Sequence, residues 1–136
     1  MKKVFMDTDV ILDFLLNRDP YINEITEIIE KSVMNEMALC VSSLTISNLH
    51  YIISRIENKK SANSKIRKIL KLIKVENVGQ TTVIKAMESE FGDFEDGIQN
   101  YCAEEADHKI LVTRNTRDYK KSKLAIMTPR EFLATA

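Results

Sequence analysis

Two carboxylates follow the first apolar run of the chain. Val4, Phe5 and Met6 lead directly into Asp7, and Asp9 comes two positions later. In an open parallel sheet, ligands bind beyond the carboxyl ends of the strands, so acids at this point indicate a site for a cation or a phosphate. Acids are also favoured in the first turn of a helix, which would give the pair a structural role.

Further polar residues follow later segments. Asp93 and Asp96 open a helical segment after Gly92, and Asn115 and Asp118 follow the apolar run KILVT. Carboxylates that meet repel one another unless a cation neutralises them, and hard oxygen ligands select Mg²⁺ or Mn²⁺. Such an ion lowers the pKa of a bound water and holds it in line with a phosphorus atom. The set therefore predicts hydrolysis of a phosphate ester.

Each of these acids also has a structural interpretation. Asp93 could cap a helix with Asp96 at its third position, and Asp118 could begin a turn. On a helical wheel, however, Asp96 lies opposite the apolar residues of its segment, so we expect it to face a cleft or solvent. Asn48 lies at the border of an apolar stripe, from which a side chain can also reach a cleft.

Length and composition indicate one folded domain over residues 1–136. Of these residues 44% are hydrophobic and 29% are charged, which excludes a disordered chain. No apolar run approaches the roughly 20 residues that span a bilayer. The start of the chain also has no long apolar segment before a cleavage site. The sequence therefore predicts a cytoplasmic protein without a membrane partner.

The cysteines and histidines form no recognisable metal motif. Cys40 and Cys102 each lie in an apolar context, which favours buried, reduced thiols over a disulfide. The sequence has no CxxC and no cluster of His and Cys, which argues against a structural zinc site. His50 and His108 stand alone, and we expect each to be structural.

The net charge is zero but unevenly distributed. Residues 55–74 hold eight basic residues against one acid, and residues 86–107 hold eight acids and no Lys or Arg. Residues 114–123 again hold five basic residues against one acid. A basic surface beside an acidic one suits a polyanion that meets bound cations, although basic residues on a helix are often only a solvated face.

Hydrophobic spacing predicts short strands that alternate with helices. Strands are predicted over 2–6, 38–42, 75–79, 109–113 and 123–127, and helices over 21–35, 44–57, 61–74, 81–90, 94–105 and from Thr128-Pro129 onward. This alternation predicts an α/β fold with a mainly parallel sheet. In such a sheet, the strand ends that bear Asp7 and Asp118 emerge at the same edge.

Six segments match one known family in order and spacing. They are DTDVILD (7–13), SLTISNL (43–49), DFEDGIQ (93–99), ILVTRN (110–115), DY (118–119) and TPREFL (128–133). On these segments the chain resembles the PIN-domain ribonucleases, which include the toxins of bacterial VapC-type toxin–antitoxin pairs. Any one segment is a weak signal, but six together are a strong one, and the resemblance covers essentially the whole chain.

The resemblance implies a three-layer α/β/α sandwich and a Mg²⁺- or Mn²⁺-dependent endoribonuclease. By this resemblance the catalytic residues are Asp7, Asp96, Asp118, Asn115 and Asn48, the metal ligands are Asp7, Asp96, Asp118 and Asp93, and the substrate-binding residues are Thr8, Thr113, Arg114 and Arg117. Thr113 would orient a carboxylate or water, and the basic segments 55–74 and 114–123 would hold the RNA backbone. Many such toxins are homodimers, silenced by a small antitoxin whose tail fills the cleft.

Two positions depart from the family pattern. Many of these nucleases carry a glutamate where this chain has Asn48, and a carboxylate where it has Asn115. Amides accept a metal more weakly than carboxylates and leave the site less negative. These departures favour an alternative in which a PIN fold serves as an RNA- or protein-binding module without strong catalysis.

A second alternative is a haloacid-dehalogenase-type phosphatase, whose pattern hhhDxDx(T/V) fits residues 4–10. In that family Asp7 would be the nucleophile and Asp9 the general acid, and a later GDxxxD is approached by residues 92–96. Those phosphatases place a strand directly before this motif, whereas residues 86–91 are predicted to be helical. The chain is also short for their core.

Overall fold

A single parallel sheet organises residues 1–135, the part of the chain that the computed structural model describes. Its strands are β1 (Lys2–Met6), β2 (Met37–Ser42), β3 (Lys74–Glu76), β4 (Ile110–Val112) and β5 (Ala125–Met127). Their spatial order is β3-β2-β1-β4-β5, and all neighbouring strands are parallel. The strand order reverses at β1, and ligands bind at such a switch point in open α/β sheets.

Helices connect the strands. They are α1 (Thr8–Leu15), α2 (Ile22–Val33), α3 (Ser43–Ile56), α4 (Lys59–Ile69), α5 (Gln80–Glu88), α6 (Phe94–Glu105) and α7 (Pro129–Thr135), with a 3₁₀ turn over Thr116–Tyr119. Polar side chains set several of the starts: Asp7, Ser42, Asn58 and Asp93 each accept a hydrogen bond from a backbone N–H of the first turn that follows.

The two faces of the sheet are covered by different helices. Alternate residues of β1 point to opposite faces, so Val4 and Met6 pack into one core and Phe5 packs into another. The larger core takes apolar residues from α1, α2, α3, α4 and α7, while α6 covers the other side through Cys102 and Ala103. The predicted α/β/α sandwich with a parallel sheet is confirmed.

Several element boundaries differ from the sequence-based prediction. The helix expected over 61–74 ends at Ile69, and Lys74 already belongs to β3. The strands expected over 75–79 and 123–127 contain three residues each, because only those residues pair with a neighbouring strand. Helix α1 was not predicted as an element. Both cysteines are free and buried, as expected, and none of the described helices is long and apolar enough to cross a membrane.

Candidate active site

An open cleft of about 450 Å³ lies beside the carboxyl ends of β1 and β4. All five residues predicted to be catalytic line this cleft, namely Asp7, Asn48, Asp96, Asn115 and Asp118. The fold thus brings together residues from α3, from α6 and from the segments that follow β1 and β4. Asp9, Tyr51, Glu95 and Gln99 line the same cleft.

Asp7 joins the end of β1 to the start of α1. Its carboxylate Oδ1 caps α1 by accepting from Thr8 N at 2.8 Å, and its Oδ2 accepts from Thr113 Oγ1 at 2.8 Å. Burial raises the pKa of Asp7, and the hydrogen bonds from Thr113 and Thr8 oppose that rise. Asp7 therefore caps a helix, as the structural interpretation expects, and also faces the cleft.

Asp9 has one satisfied oxygen and one unsatisfied oxygen. Its Oδ2 accepts from Asn115 Nδ2 at 3.2 Å and from Arg114 N at 3.3 Å. Its Oδ1 is buried and has no hydrogen-bond partner among the described residues. Burial, followed by the charge of Asp7, raises the pKa of Asp9 to about 7. A cation would satisfy such an oxygen and relieve the repulsion between the two carboxylates.

Asp96 lies half-buried in the first turn of α6. Tyr119, whose ring is buried beneath the cleft, donates from its hydroxyl to Asp96 Oδ1 at 3.5 Å. Burial and the charges of Asp7, Asp93 and Asp118 together raise the pKa of Asp96 to about 7. A cation bound beside Asp96 would relieve this repulsion.

Gln99 holds a buried polar network beneath the carboxylates. Its Nε2 lies 2.6 Å from Thr45 Oγ1 and 3.2 Å from Thr8 Oγ1, and its Oε1 accepts from Ser42 Oγ. The network joins α1, α3 and α6, and Ser42 and Thr45 are fully buried. Sequence analysis did not single out Gln99. Its spacing of three residues from Asp96 was the available signal, because positions i and i+3 share a helix face.

Three residues predicted to bind a metal or RNA form hydrogen bonds with other residues of the chain. Arg114 Nε donates to Asp13 Oδ2 at 2.7 Å, and the Arg114 guanidinium lies 4.0 Å from the centre of the Tyr21 ring. Asp93 accepts from the backbone N–H of Asp96 at 3.0 Å and does not line the cleft. Thr113 is fully buried, so its hydroxyl orients Asp7 and is not presented to a substrate.

The remaining predicted substrate-binding residues are accessible. Thr8 lines the cleft, where its hydroxyl lies 2.9 Å from Thr45 Oγ1. Arg117 is exposed on the 3₁₀ turn, next in sequence to Asp118. Across the cleft, Asn48 Nδ2 lies 3.5 Å from Glu95 Oε2. Position 48 itself has no carboxylate, but Glu95 provides one close to it.

The segment before Gly92 does not fit the phosphatase alternative. It contains α5, which ends at Glu88, and no described residue between Glu88 and Gly92 belongs to a strand. Those phosphatases need a strand directly before the GD motif. The Gly92-Asp93 pair of this chain lacks the strand that would place it in such an active site.

Comparisons with known proteins show the family and support the fold. The family model described as PIN domain matches residues 3–117. Ribonuclease VapC1 of Aquifex aeolicus is 28% identical over 136 residues, which cover 96% of this chain and 93% of that protein. DNA-bound VapBC from Salmonella typhimurium has a TM-score of 0.71 at 16% identity, over 95% of this chain and 99% of that one. VapC20 of Mycobacterium tuberculosis, described as a Sarcin-Ricin loop cleaving toxin, has a TM-score of 0.63 at 14% identity, over 79% and 86%.

Proposed function

Because the chain belongs to the PIN domain family, we propose that it is a metal-dependent endoribonuclease that hydrolyses phosphodiester bonds in RNA. One observation carries the proposal: the carboxylates of Asp7, Asp9, Asp96 and Asp118 line one cleft. So much negative charge would repel an RNA phosphate unless cations were bound between them. The curated relative named a ribonuclease supports the same activity.

The cleft residues fit Mg²⁺ or Mn²⁺. Asp7, Asp96 and Asp118 would hold the ion, and Asp9, whose Oδ1 has no hydrogen-bond partner among the described residues, is a further ligand. All the offered atoms are carboxylate oxygens, the hard ligands that these cations prefer. When bound, such an ion lowers the pKa of a water and stabilises the charge on the leaving oxygen.

The residues around the carboxylates fix their orientation. Thr113 donates to Asp7 from the end of β4, Gln99 reaches Asp7 from α6, and Tyr119 donates to Asp96. Without a cation, the raised pKa values of Asp9 and Asp96 keep a proton on this group near neutral pH. Cation binding releases that proton, so the affinity for the metal increases as the pH rises.

A basic surface extends from the cleft along α3 and α4. Tyr51 lines the cleft, and the Arg55 guanidinium lies 5.6 Å from the centre of its ring. Helix α4 packs on α3 and exposes Lys59, Lys60 and Arg67. This surface would hold the RNA backbone while the bound cations receive the phosphate to be cut.

RNA cleavage in the presence of Mn²⁺ tests the proposal. We expect Asp96→Asn and Asp7→Asn to lower the cleavage rate by at least about 100-fold, because each removes a metal ligand. The matched control is Glu27→Gln, which neutralises an exposed acid of α2 far from the cleft lining. Equal rates for all four proteins would overturn the proposal and favour a binding module.

We further propose that the chain is a cytoplasmic toxin that forms a homodimer and is silenced by a small antitoxin. Structural neighbours that were solved as toxin–antitoxin complexes support this partner. Expression of the chain alone should arrest bacterial growth, and Asp7→Asn should abolish the arrest. Co-expression with a short protein encoded beside it should restore growth and yield a complex, whereas growth that never slows would exclude a toxin.

A further inference from the structure

Three potential metal ligands meet at a place that is separate from the cleft. Cys40 lies in β2, Glu76 in β3, and His108 in the turn between α6 and β4. One ligand atom from each lies within 4.8 Å of the other two. None of the three residues lines the cleft, and the mechanism proposed above uses none of them.

His108 is the unusual member of this cluster. It is only 2% exposed, and neither of its ring nitrogens has a hydrogen-bond partner among the described residues. Its ring packs edge-on against Phe5, with centroids 5.4 Å apart. A buried polar atom without a partner is costly, and a metal ion would satisfy the ring nitrogen that carries the lone pair.

The ring is in the form that binds metals. Burial, followed by the positive charge of Lys3, lowers the pKa of His108, so the imidazole is neutral at neutral pH. A neutral imidazole offers a lone pair to a metal ion. The other two potential ligand atoms beside the ring are the Cys40 sulfur and a Glu76 carboxylate oxygen.

We propose that Cys40, Glu76 and His108 form a second metal site, which binds one Zn²⁺ ion. Sulfur, nitrogen and oxygen ligands together select zinc over Mg²⁺, which prefers oxygen alone. A tetrahedral Zn²⁺ places its ligand atoms about 3.5 Å apart, so atoms already within 4.8 Å need only a small contraction. The fourth position is left for water.

The surroundings allow the ion to reach the site. The Glu76 side chain is 11% exposed and therefore connects the buried ligands to solvent. Its present partner is Lys74, whose Nζ lies 3.4 Å from Glu76 Oε1 and whose side chain is 72% exposed, so it is free to move away. Burial, followed by the charge of Glu76, raises the pKa of the Cys40 thiol, and the charges of Lys3 and Lys74 oppose that rise. Zinc binding displaces the thiol proton to solvent.

The site would tie α6 to the sheet. Helix α6 carries Asp96 and Gln99 near its start, and the turn that bears His108 follows its end. An ion shared with β2 and β3 would fix that end without touching the carboxylates of the cleft.

Zinc titration of the chelator-treated full chain tests the proposal. Because the cleft carboxylates can also take Zn²⁺, we expect the Asp7→Asn chain, which lacks a cleft ligand, to bind one Zn²⁺ by calorimetry with a raised Tm. Co²⁺ in place of zinc should produce a thiolate-to-cobalt charge-transfer band, which reports sulfur coordination directly. Failure to bind either ion, or a cobalt spectrum without the thiolate band, would overturn the proposal.

Variants then locate the ion. Glu76→Gln and Cys40→Ser should weaken Zn²⁺ binding by at least about tenfold. Loss of a residue that only hydrogen-bonds to a metal ligand already weakens binding that much, and these two residues are ligands themselves. His50→Gln is the matched control, since His50 lies on α3 and bonds to Asn63. Asp7→Asn should keep the zinc site and lose Mn²⁺ binding in the cleft.

Should Asp7→Asn lose zinc while Glu76→Gln keeps it, the ion sits in the cleft and the proposal is wrong. Glu76 is only partly buried, so its variant decides the matter even if Cys40→Ser does not fold.

Discussion

Gln99 Nε2 lies 3.4 Å from Asp7 Oδ1, although 92 positions separate the two residues in the chain. The same amide nitrogen lies 2.6 Å from Thr45 Oγ1, and the amide oxygen accepts from Ser42 Oγ. One side chain therefore connects the most buried carboxylate of the cleft to the start of α3. Its loss would disturb both the fold and the position of the carboxylate.

Substitution of Gln99 tests this double role. Gln99→Met keeps the approximate volume but leaves buried hydroxyls without partners, so we expect the free energy of unfolding to fall by about 1–3 kcal/mol. Because Asp7 loses an orienting contact, kcat for RNA cleavage should fall more than KM rises. Urea denaturation and steady-state kinetics measure the two effects. The exposed Gln80 offers the control Gln80→Met. An equal loss of unfolding free energy and of kcat in both variants would contradict the assigned role.

The raised pKa of Asp96 predicts a pH dependence of stability in metal-free protein. Its ordinary value of 3.8 is raised to about 7, so between these values the folded state binds more protons than the unfolded state. This contribution to stability is complete below the lower value and is lost as the pH rises through about 7. Asp96→Asn should therefore be more stable relative to wild type at about pH 8 than at about pH 5. Denaturation in the presence of a chelator at both pH values measures this difference. The lowered pKa of His108 changes stability in the opposite direction, but it is present in both proteins and therefore cancels. A difference that does not change with pH would refute the shift.

Two arginines that the sequence assigned to substrate binding should behave differently. Arg114→Gln removes the main partner of Asp13, which is 1% exposed, so the free energy of unfolding should fall by about 3 kcal/mol. Arg117→Gln should leave stability unchanged, because Arg117 is exposed. It should instead weaken RNA binding and reduce its salt dependence. Denaturation and RNA binding at two salt concentrations separate the effects, and the reverse pattern would return Arg114 to the substrate site.

Restoring a carboxylate at position 115 should tighten metal binding. Asn115→Asp replaces a neutral amide that donates to Asp9 Oδ2 with a charged oxygen ligand. We expect Mn²⁺ affinity to rise by about tenfold, since affinity follows the number of charged ligands. The metal-free protein should become less stable, because a further carboxylate adds to the repulsion. Calorimetry with Mn²⁺ measures the first effect, with Asn23→Asp, at an exposed position of α2, as control. Unchanged affinity would show that position 115 does not contact the ion.

The sequence by itself determined the parts of this protein that depend on local pattern. Apolar runs and helical spacing predicted the alternation of strands and helices, because burial of one face imposes a fixed period. The position of Asp7 after β1 predicted the edge of the sheet where the cleft lies. The positions of Asp96, Asn115 and Asp118 beside later segments added three residues that line that cleft, and the family resemblance then assigned their roles.

Only the tertiary structure decided which distant side chains touch. Arg114 pairs with Asp13, and Gln99 enters the polar network, because helix packing brings these particular rotamers together. The cluster of Cys40 and His108 was likewise invisible, since its members come from separate segments and follow no short spacing. Strand order sets such contacts, and strand order results from packing of the whole chain and not from the period of any one segment.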